Sequence, residues 1–226
     1  MPVLNPGIEL AQLVTTLQSD GGPDQEIVVI DGGSKVDSIR EAEGSGRLVI
    51  SSPRGRGNQI AAGVAASTAP WILIAHVDIQ PRAGWREDLA IAAHQYPSAA
   101  MFVFGQHFDT GGPGTLLIEI LNEMRVLFTG VAFGDQTMVI RRSALEGAGG
   151  FPAQPLMEDV EISLRLKSLG RTVYIGREWT VSARKWHVGG WAGFSSRVGM
   201  VVRLCFSYWL ARMRGPGHAA AVSRRM

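Results

Sequence analysis

Three acids that directly follow apolar runs are the residues of this sequence that most invite a chemical role. Asp31 follows EIVVI, Asp78 follows WILIAHV and Asp109 follows MFVFGQHF. Open α/β sheets bind ligands beyond the carboxyl ends of their strands, where these acids would lie. A carboxylate there suits a hard divalent cation, which prefers oxygen ligands and leaves positions open for phosphate. Turn opening or helix capping explains such acids too, and for Asp31, which precedes Gly-Gly-Ser, it does so equally well.

Asp78 is the strongest of the three candidates because an imidazole accompanies it. His76 stands two residues earlier, and side chains two apart on a strand point to the same face. The spacing therefore predicts His76 and Asp78 side by side at one strand end.

Three further acids fall in the segment PLMEDVE, residues 155–161. Glu158, Asp159 and Glu161 would occupy the first turn of a helix, where each acid stabilises the helix dipole by about 0.3–1 kcal/mol. Three acids in four residues are more than a helix start needs. Adjacent side chains on a helix point about 100° apart, so either Glu158 or Asp159 could face a cleft as a general base.

The segment PRGRGNQ, residues 53–59, is a glycine-rich basic loop that opens a helix. Backbone N–H groups at a helix N-terminus, with Arg56 beside them, could bind a phosphate group. The segment fits neither a Walker A loop nor a dinucleotide fingerprint, and a plain surface turn explains it equally well.

Two other segments flank predicted strands. Asp135 and Gln136 precede TMVIRR, and SARKW, residues 182–186, follows the last strand. Trp186 beside Arg184 and Lys185 would offer an aromatic platform and cations to a sugar or diphosphate. Packing of Trp186 against a C-terminal helix is an equally good interpretation.

Strand-like apolar runs alternate with helical segments along most of the chain. EIVVIDGG and WILIAHVD are typical of buried strands, whereas TLLIEILNEMRVLF is amphipathic with helical spacing. This alternation predicts an α/β fold with a largely parallel central sheet flanked by helices. The composition becomes basic and helical after residues 189–190. We therefore expect a core domain of residues 1–190 and a helical, basic extension of residues 191–226.

The composition narrows the function classes. With 226 residues, 46% of them hydrophobic, the chain can form a sizeable core. A single cysteine argues against a disulfide framework and favours the cytoplasm. We expect no secretory signal and no membrane span, because the first residues lack the pattern and no stretch of 18 apolar residues occurs. The net charge of +2 is too small to indicate nucleic-acid binding.

Taken in chain order, these segments resemble the family 2 glycosyltransferases, which have the nucleotide-sugar-binding GT-A fold. The matching segments are PVLN, EIVVIDGGS, GRGNQ, AHVD, GDQTMVIRR, GGFPAQPLMEDVEISLRLKSLGR and SARKW. They extend over roughly residues 2 to 190. Within the family the sequence is most similar to the subgroup associated with arsenosugar biosynthesis.

The resemblance implies a role for each matched position. Asp78 is similar to the metal-binding member of an Asp-x-Asp element and would hold Mg²⁺ or Mn²⁺ against a diphosphate, with His76 at the first Asp position. Asp159 is similar to the base that deprotonates the acceptor, with Glu158 supporting it. The sugar and acceptor side would include Asp135, Gln136, Arg184, Lys185 and Trp186. The nucleotide donor would be bound by Pro2, Val3, Asn5, Asp31, Arg56, His76, Val77 and Asp78.

The function that the resemblance implies is an inverting, metal-assisted, hexosyltransferase-like glycosyltransferase. It would move a sugar from a nucleotide-diphosphate donor, foremost a UDP-sugar, to the hydroxyl of an unidentified acceptor. One alternative is a sugar-phosphate nucleotidyltransferase, although PVLNPGIEL lacks the glycine-rich basic loop that those enzymes need. Another is a non-catalytic nucleotide-binding or membrane-scaffold protein whose site has decayed, which His76 in place of an acid would fit.

The C-terminal part of the chain is basic. From Arg177 to Met226 there are nine Lys or Arg residues and one acid. Two interpretations stay open for the segment 195–215: an interfacial helix that contacts the inner face of a membrane, or a helix that covers the core. The last arginines, Arg224 and Arg225, fit a solvated tail.

Overall fold

The structure is a computed structural model that describes residues 1–20, 22, 24–35, 48–183 and 190–215. In these parts, strands β1–β8 run over Pro2–Val3, Val28–Asp31, Leu48–Ser51, Trp71–Ile74, Ile79–Pro81, Ala99–Phe108, Met138–Arg141 and Arg171–Val181. Helices α1–α7 run over Glu9–Ser19, Arg56–Ala66, Trp85–Gln95, Pro113–Thr129, Arg142–Gly147, Glu158–Leu166 and Gly190–Met213.

The strands form two sheets flanked by helices, which confirms the predicted fold class. β1, β2 and β3 form a parallel three-stranded sheet, and the second sheet has the order β4-β7-β6-β8-β5. Among the described strands of the second sheet, only β6 and β8 pair in parallel. The expectation of a largely parallel sheet was therefore wrong in detail, since an apolar run indicates burial and not direction. The chain returns through residues 130–137 after α4, so that β7 runs opposite to β6.

β6 lies at the centre of the core. Phe102 and Phe104 pack into one apolar cluster with Trp85 and Trp179. Met101 and Val103 point the other way, into a cluster that includes Ile140 and Ile162 of β7 and α6. Because successive side chains of a strand alternate between its faces, a strand covered on both faces is apolar almost throughout, as this one is.

Helix α2 is attached to the first sheet by Gln59. Its buried side-chain nitrogen donates to the carbonyl oxygens of Val3, at 2.7 Å, and of Ile30, at 2.8 Å. Two residues earlier, Gly57 lies so close to the chain at 152–154 that a Cβ there would overlap the carbonyl oxygen of Gln154. These two contacts place the start of α2 between the first sheet and the segment leading to α6.

Replacing Gln59 with Leu should destabilise the protein by about 1–3 kcal/mol, because the carbonyl oxygens of Val3 and Ile30 each lose the hydrogen bond from the buried Gln59 amide. The measurement is the free energy of unfolding from urea denaturation. Gln12→Leu, at an exposed position of α1, is the matched control and should change this energy by less than about 0.5 kcal/mol. Equal effects of both substitutions would contradict the attachment.

Helix α7 packs on the body through a narrow contact. Tyr208 and Ala211 are buried against Met157 and Val160 near the start of α6. In the parts of the chain that the structure describes, no helix is both long and apolar enough to span a membrane. The division into residues 1–190 and 191–226 stays a prediction.

Candidate functional site

The predicted donor residues at the ends of β1 and β2 are brought together. Val3 pairs with Asp31 across the two strands. The Asp31 carboxylate accepts from the backbone N–H of Ser34 at 3.0 Å and from its hydroxyl. The backbone N–H of Asn5 donates to the same hydroxyl oxygen at 2.8 Å, and the Asn5 Oδ1 accepts from the Lys35 N–H at 2.8 Å. Asp31 thus orders its own turn, as the structural interpretation predicts, at the edge where a ligand would bind.

The acids of PLMEDVE meet the basic loop at a second point. The Arg56 Nε donates to Glu158 Oε1, and its Nη2 lies 3.3 Å from Asp159 Oδ2. The backbone N–H of Gly134 donates to the same Asp159 oxygen at 2.6 Å. We call Arg56, Gly134, Glu158 and Asp159 the acid-pair cluster. Arg56 is thus joined to two acids that lie 102 and 103 positions further along the chain.

Burial and mutual charge set the ionisation of this cluster. Burial raises the pKa of Glu158 above its ordinary value, and the neighbouring charge of Asp159 raises it further. Burial alone would lower the pKa of Arg56, but the charges of Glu158 and Asp159 outweigh it and raise that pKa. The second oxygen of Glu158 is buried and has no hydrogen-bond partner among the described residues. The cluster therefore keeps Arg56 charged and leaves one buried oxygen of Glu158 without a hydrogen bond from the described residues.

The backbone before α6 holds the acids in place. Met157 has φ of 60°, in the left-handed region that a methionine rarely adopts. Such strained residues are concentrated at functional sites. The turn starts α6 at Glu158, and the positive end of the helix dipole stabilises ionised carboxylates there.

Helix α2 connects the two groups of residues. It carries Arg56, which contacts the acid pair, and one turn later Gln59, which binds the ends of β1 and β2. The predicted donor side and the predicted catalytic acids therefore lie on the two sides of one helix start.

His76 and Asp78 lie in a turn and not on a strand. β4 ends at Ile74, and residues 77–78 form the turn before β5, so the expected shared strand face was wrong. Val77 packs against the cluster of Val3, Leu10, Val14 and Val29, and the Asp78 carbonyl accepts from the Ser182 N–H at 3.1 Å. The apolar run correctly indicated a buried strand. The spacing of the residues did not indicate that the strand would end at Ile74, before His76.

The residues present fit a metal site whose ligands come partly from the substrate better than a site in which protein side chains supply all of the ligands. Among the described residues, no group of three or more His, Cys, Asp or Glu side chains could hold a metal ion by itself. A single half-buried carboxylate, Asp78, with His76 two residues away, is compatible with Mg²⁺ sites in which substrate phosphates and water supply the remaining ligands.

Arg125 of α4 is a site residue that sequence reasoning missed. Its guanidinium donates to Gln136 Oε1 at 2.5 Å and to Asn122 Oδ1 at 2.5 Å, and lies 3.4 Å from the centre of the Phe133 ring. Burial lowers its pKa to about 10. Burial also raises the pKa of Asp135, which Arg125 partly opposes. The polar spacing of Glu119, Asn122 and Arg125 within an apolar helix was the signal that could have found it.

The sequence also matches the model of a known protein family. Residues 1–148 match the family model described as Glycosyl transferase family 2. The match covers more than half of the chain and includes the donor-side residues and Arg56. The chain belongs to glycosyl transferase family 2. The family match ends before the acids of α6, so their roles rest on the contacts described above.

Solved structures share the fold of this family 2 protein. S. aureus TarS 1-349 superimposes with a TM-score of 0.63 at 16% identity, over 81% of this chain and 59% of that one. Glucosyl-3-phosphoglycerate synthase from Mycobacterium tuberculosis does so with a TM-score of 0.54 at 20% identity, over 78% and 68% of the two chains. The present chain thus spans less than two thirds of TarS 1-349. Among proteins of curated function, none matches the sequence significantly.

Other predicted acids of this family member are structural. Asp109 accepts from the Ala183 N–H at 2.8 Å, and this bond lowers the pKa of its carboxyl group. Glu161 accepts from the Tyr208 hydroxyl at 2.7 Å and from Arg212 at 2.6 Å, and so anchors α7 to α6. Arg184, Lys185 and Trp186 lie outside the described residues, and their acceptor-side role stays a prediction.

Gln136 is placed differently from a typical ligand-binding amide. Its side chain is buried, and its oxygen is bonded to Arg125, while its amide nitrogen has no partner within the described residues. Its place on the sugar side stays a prediction.

Proposed function

We propose that this family 2 protein is an inverting, metal-assisted glycosyltransferase that moves a hexose from a nucleoside-diphosphate donor to an acceptor hydroxyl. The observation that carries the proposal is the acid-pair cluster, in which a buried Glu-Asp pair meets Arg56 at the start of α2. The same helix start is tied by Gln59 to the carbonyl oxygens of Val3 and Ile30, at the ends of β1 and β2. A candidate phosphate-binding loop at the start of α2 and a candidate base at the start of α6 are thereby held next to each other.

Asp159 is the proposed base. It would accept the proton of the acceptor hydroxyl as the oxygen attacks the anomeric carbon, while the bond from that carbon to the donor phosphate oxygen breaks. The diphosphate leaves with the bonding electron pair, and the proton stays on Asp159. Attack opposite to the leaving group inverts the anomeric centre.

Arg56 and Asp78 are the proposed diphosphate ligands. Arg56 has its guanidinium beside the acids, with 40% of its side chain exposed, and it can turn toward phosphate oxygens. Asp78, with His76 two residues away, would hold a Mg²⁺ or Mn²⁺ ion. Such an ion neutralises the charge that develops on the leaving group.

A UDP-sugar is the proposed donor. Support comes from the fold neighbours: a TarS structure is described as a complex with UDP-GlcNAc, and the mycobacterial synthase as a complex with Mn²⁺ and UDP-glucose. Asp31, at the β2 end, is the proposed ligand of the nucleoside. The cytoplasm, where the single cysteine fits, is the proposed compartment. The motif set supports placement near the arsenosugar subgroup, and the acceptor stays unidentified.

The test is donor turnover. The purified protein is incubated with Mn²⁺ and, in turn, UDP-glucose, UDP-galactose and UDP-GlcNAc, and released UDP is measured by a coupled assay. We expect UDP release with at least one donor, faster in the presence of an acceptor alcohol. If the folded protein releases no nucleoside diphosphate from these donors or from GDP- and TDP-sugars, the proposal is contradicted. Diphosphate release from a nucleoside triphosphate and a sugar phosphate would indicate the nucleotidyltransferase alternative.

A further inference from the structure

Helix α4 lies with its apolar face outward. Its exposed residues from 116 to 128 are all large and hydrophobic: Leu116, Leu117, Ile120, Leu121, Met124, Leu127 and Phe128. Its polar residues Glu119 and Asn122 are buried, and Phe128 is 78% exposed. A surface helix of a globular protein usually has the reverse arrangement. An exposed apolar patch of this kind marks an interaction surface.

Helix α7 carries a second apolar stripe. Val202, Phe206, Trp209 and Met213 are spaced at four, three and four residues, so they share one face, and all four are exposed. The rings of Phe206 and Trp209 stack with their centres 6.2 Å apart. The face that packs on the body is a different one, which carries Tyr208 and Ala211.

The two apolar faces are neighbours. Both helices pack on α6. Val126 of α4 shares an apolar cluster with Ile162 and Leu166 of α6, and Tyr208 of α7 packs against Val160 of the same helix. The two apolar faces therefore belong to helices that flank one common helix.

The charge beside the stripe is positive. Arg203 is exposed and lies three residues before Phe206, so the two adjoin on the helix surface. Arg214 is exposed directly after Met213, the last residue of α7. The α7 sequence from Gly190 to Met213 contains no acid. Arginine side chains can extend their charged ends to phosphate groups while their stems lie along an apolar surface. An apolar face with arginines at its border is typical of helices that lie in the interface of an anionic bilayer.

We propose that α4 and α7 form one docking face for an anionic lipid bilayer. A second copy of the chain fits this face less well, because a two-fold interface places the same patch on both subunits and would bring like charges together. Docking does not rest on the proposed transferase activity. It would hold the nearby acid-pair cluster close to the bilayer surface, so that an acceptor could be presented from the lipid.

Vesicle flotation of the whole chain tests the docking face. The probes are vesicles of phosphatidylcholine alone and vesicles with a quarter of phosphatidylglycerol. We expect the protein to float with the anionic vesicles and to bind neutral ones about tenfold more weakly. The double variants Leu121→Gln/Met124→Gln and Phe206→Gln/Trp209→Gln should each lower binding to anionic vesicles at least about tenfold. Ile8→Gln, which changes a residue 73% exposed before α1, is the matched control and should float like the wild type.

The contradicting outcomes are read once the variants are shown to be folded. The substituted residues are exposed, so thermal melting should show both double variants folded, and light scattering during gel filtration reports the oligomeric state. Failure of the wild type to float, or equal flotation of all variants, removes the bilayer as the partner of this face. A wild-type dimer that the double variants convert to a monomer, without flotation, would show that a second copy covers it.

Discussion

Asp159→Asn should lower kcat for UDP release to an acceptor by about a thousandfold, within the range expected for a general base. Asparagine keeps the shape of the side chain and can still accept from the Gly134 N–H, but it cannot take a proton. UDP affinity should change much less than kcat, because Arg56, a proposed diphosphate ligand that contacts Asp159, keeps its hydrogen bond to Glu158. Steady-state kinetics and a UDP titration of the same preparation measure the two effects separately.

The control for this prediction is Asp88→Asn. Asp88 also lies in the first turn of a helix, α3, where an acid stabilises the dipole, and it should leave kcat unchanged. A kcat for Asp159→Asn within tenfold of the wild type would contradict the role of base. Equal losses of kcat and of UDP affinity would indicate that Asp159 only supports the fold of the site.

Arg56→Gln should destabilise the protein by about 2–3 kcal/mol at neutral pH. Removing one partner of a buried ion pair costs about 3–5 kcal/mol, and the effect is reduced here because water reaches the side chain of Arg56, which is 40% exposed. Glu158 and Asp159 would then be left adjacent without their cation. The expected drop in Tm is about 5–10 °C for a chain of this size.

The same variant should show a distinctive pH dependence. The pKa of Glu158 is already raised in the folded state, so the folded protein binds more protons than the unfolded one, and stability falls as the pH rises through that window. Loss of Arg56 raises this pKa further. The deficit of Arg56→Gln should therefore shrink as the pH falls toward 4.5, the ordinary value. Exposed Arg54→Gln is the control, and a deficit independent of pH would contradict the ion-pair account.

The motif residues were predictable because their chemistry is local. The apolar runs before Asp31 and Asp78, and the excess of acids around Asp159, can be recognised without knowing the fold. The pairing of Arg56 with Glu158 could not be predicted from spacing, since it depends on the close approach of α2 to the chain at 152–154. Only the family resemblance placed these segments in one site.

Features set by tertiary packing were the ones that the sequence did not predict. The amphipathic pattern of α4 indicated a helix but not which face would be buried, and the structure buries Glu119 and Asn122. Arg125 was missed for that reason, since a cation among apolar residues on a helix is normally assigned to solvent. Strand direction in the second sheet and the turn at His76 depend on how connections return, and a run of apolar residues carries no information about that.

The most direct test of a nucleotide-sugar site is the thermal shift produced by UDP, with and without Mn²⁺, on the wild type and on Asp78→Ala. A ligand at a hundredfold excess over its dissociation constant stabilises the folded state by about 2.7 kcal/mol, or about 5–11 °C in Tm. We predict that UDP with Mn²⁺ shifts the wild type by this amount and that Asp78→Ala loses the part that depends on metal. If neither UDP nor GDP nor TDP shifts the Tm of the wild type, the proposed nucleotide-sugar site is contradicted.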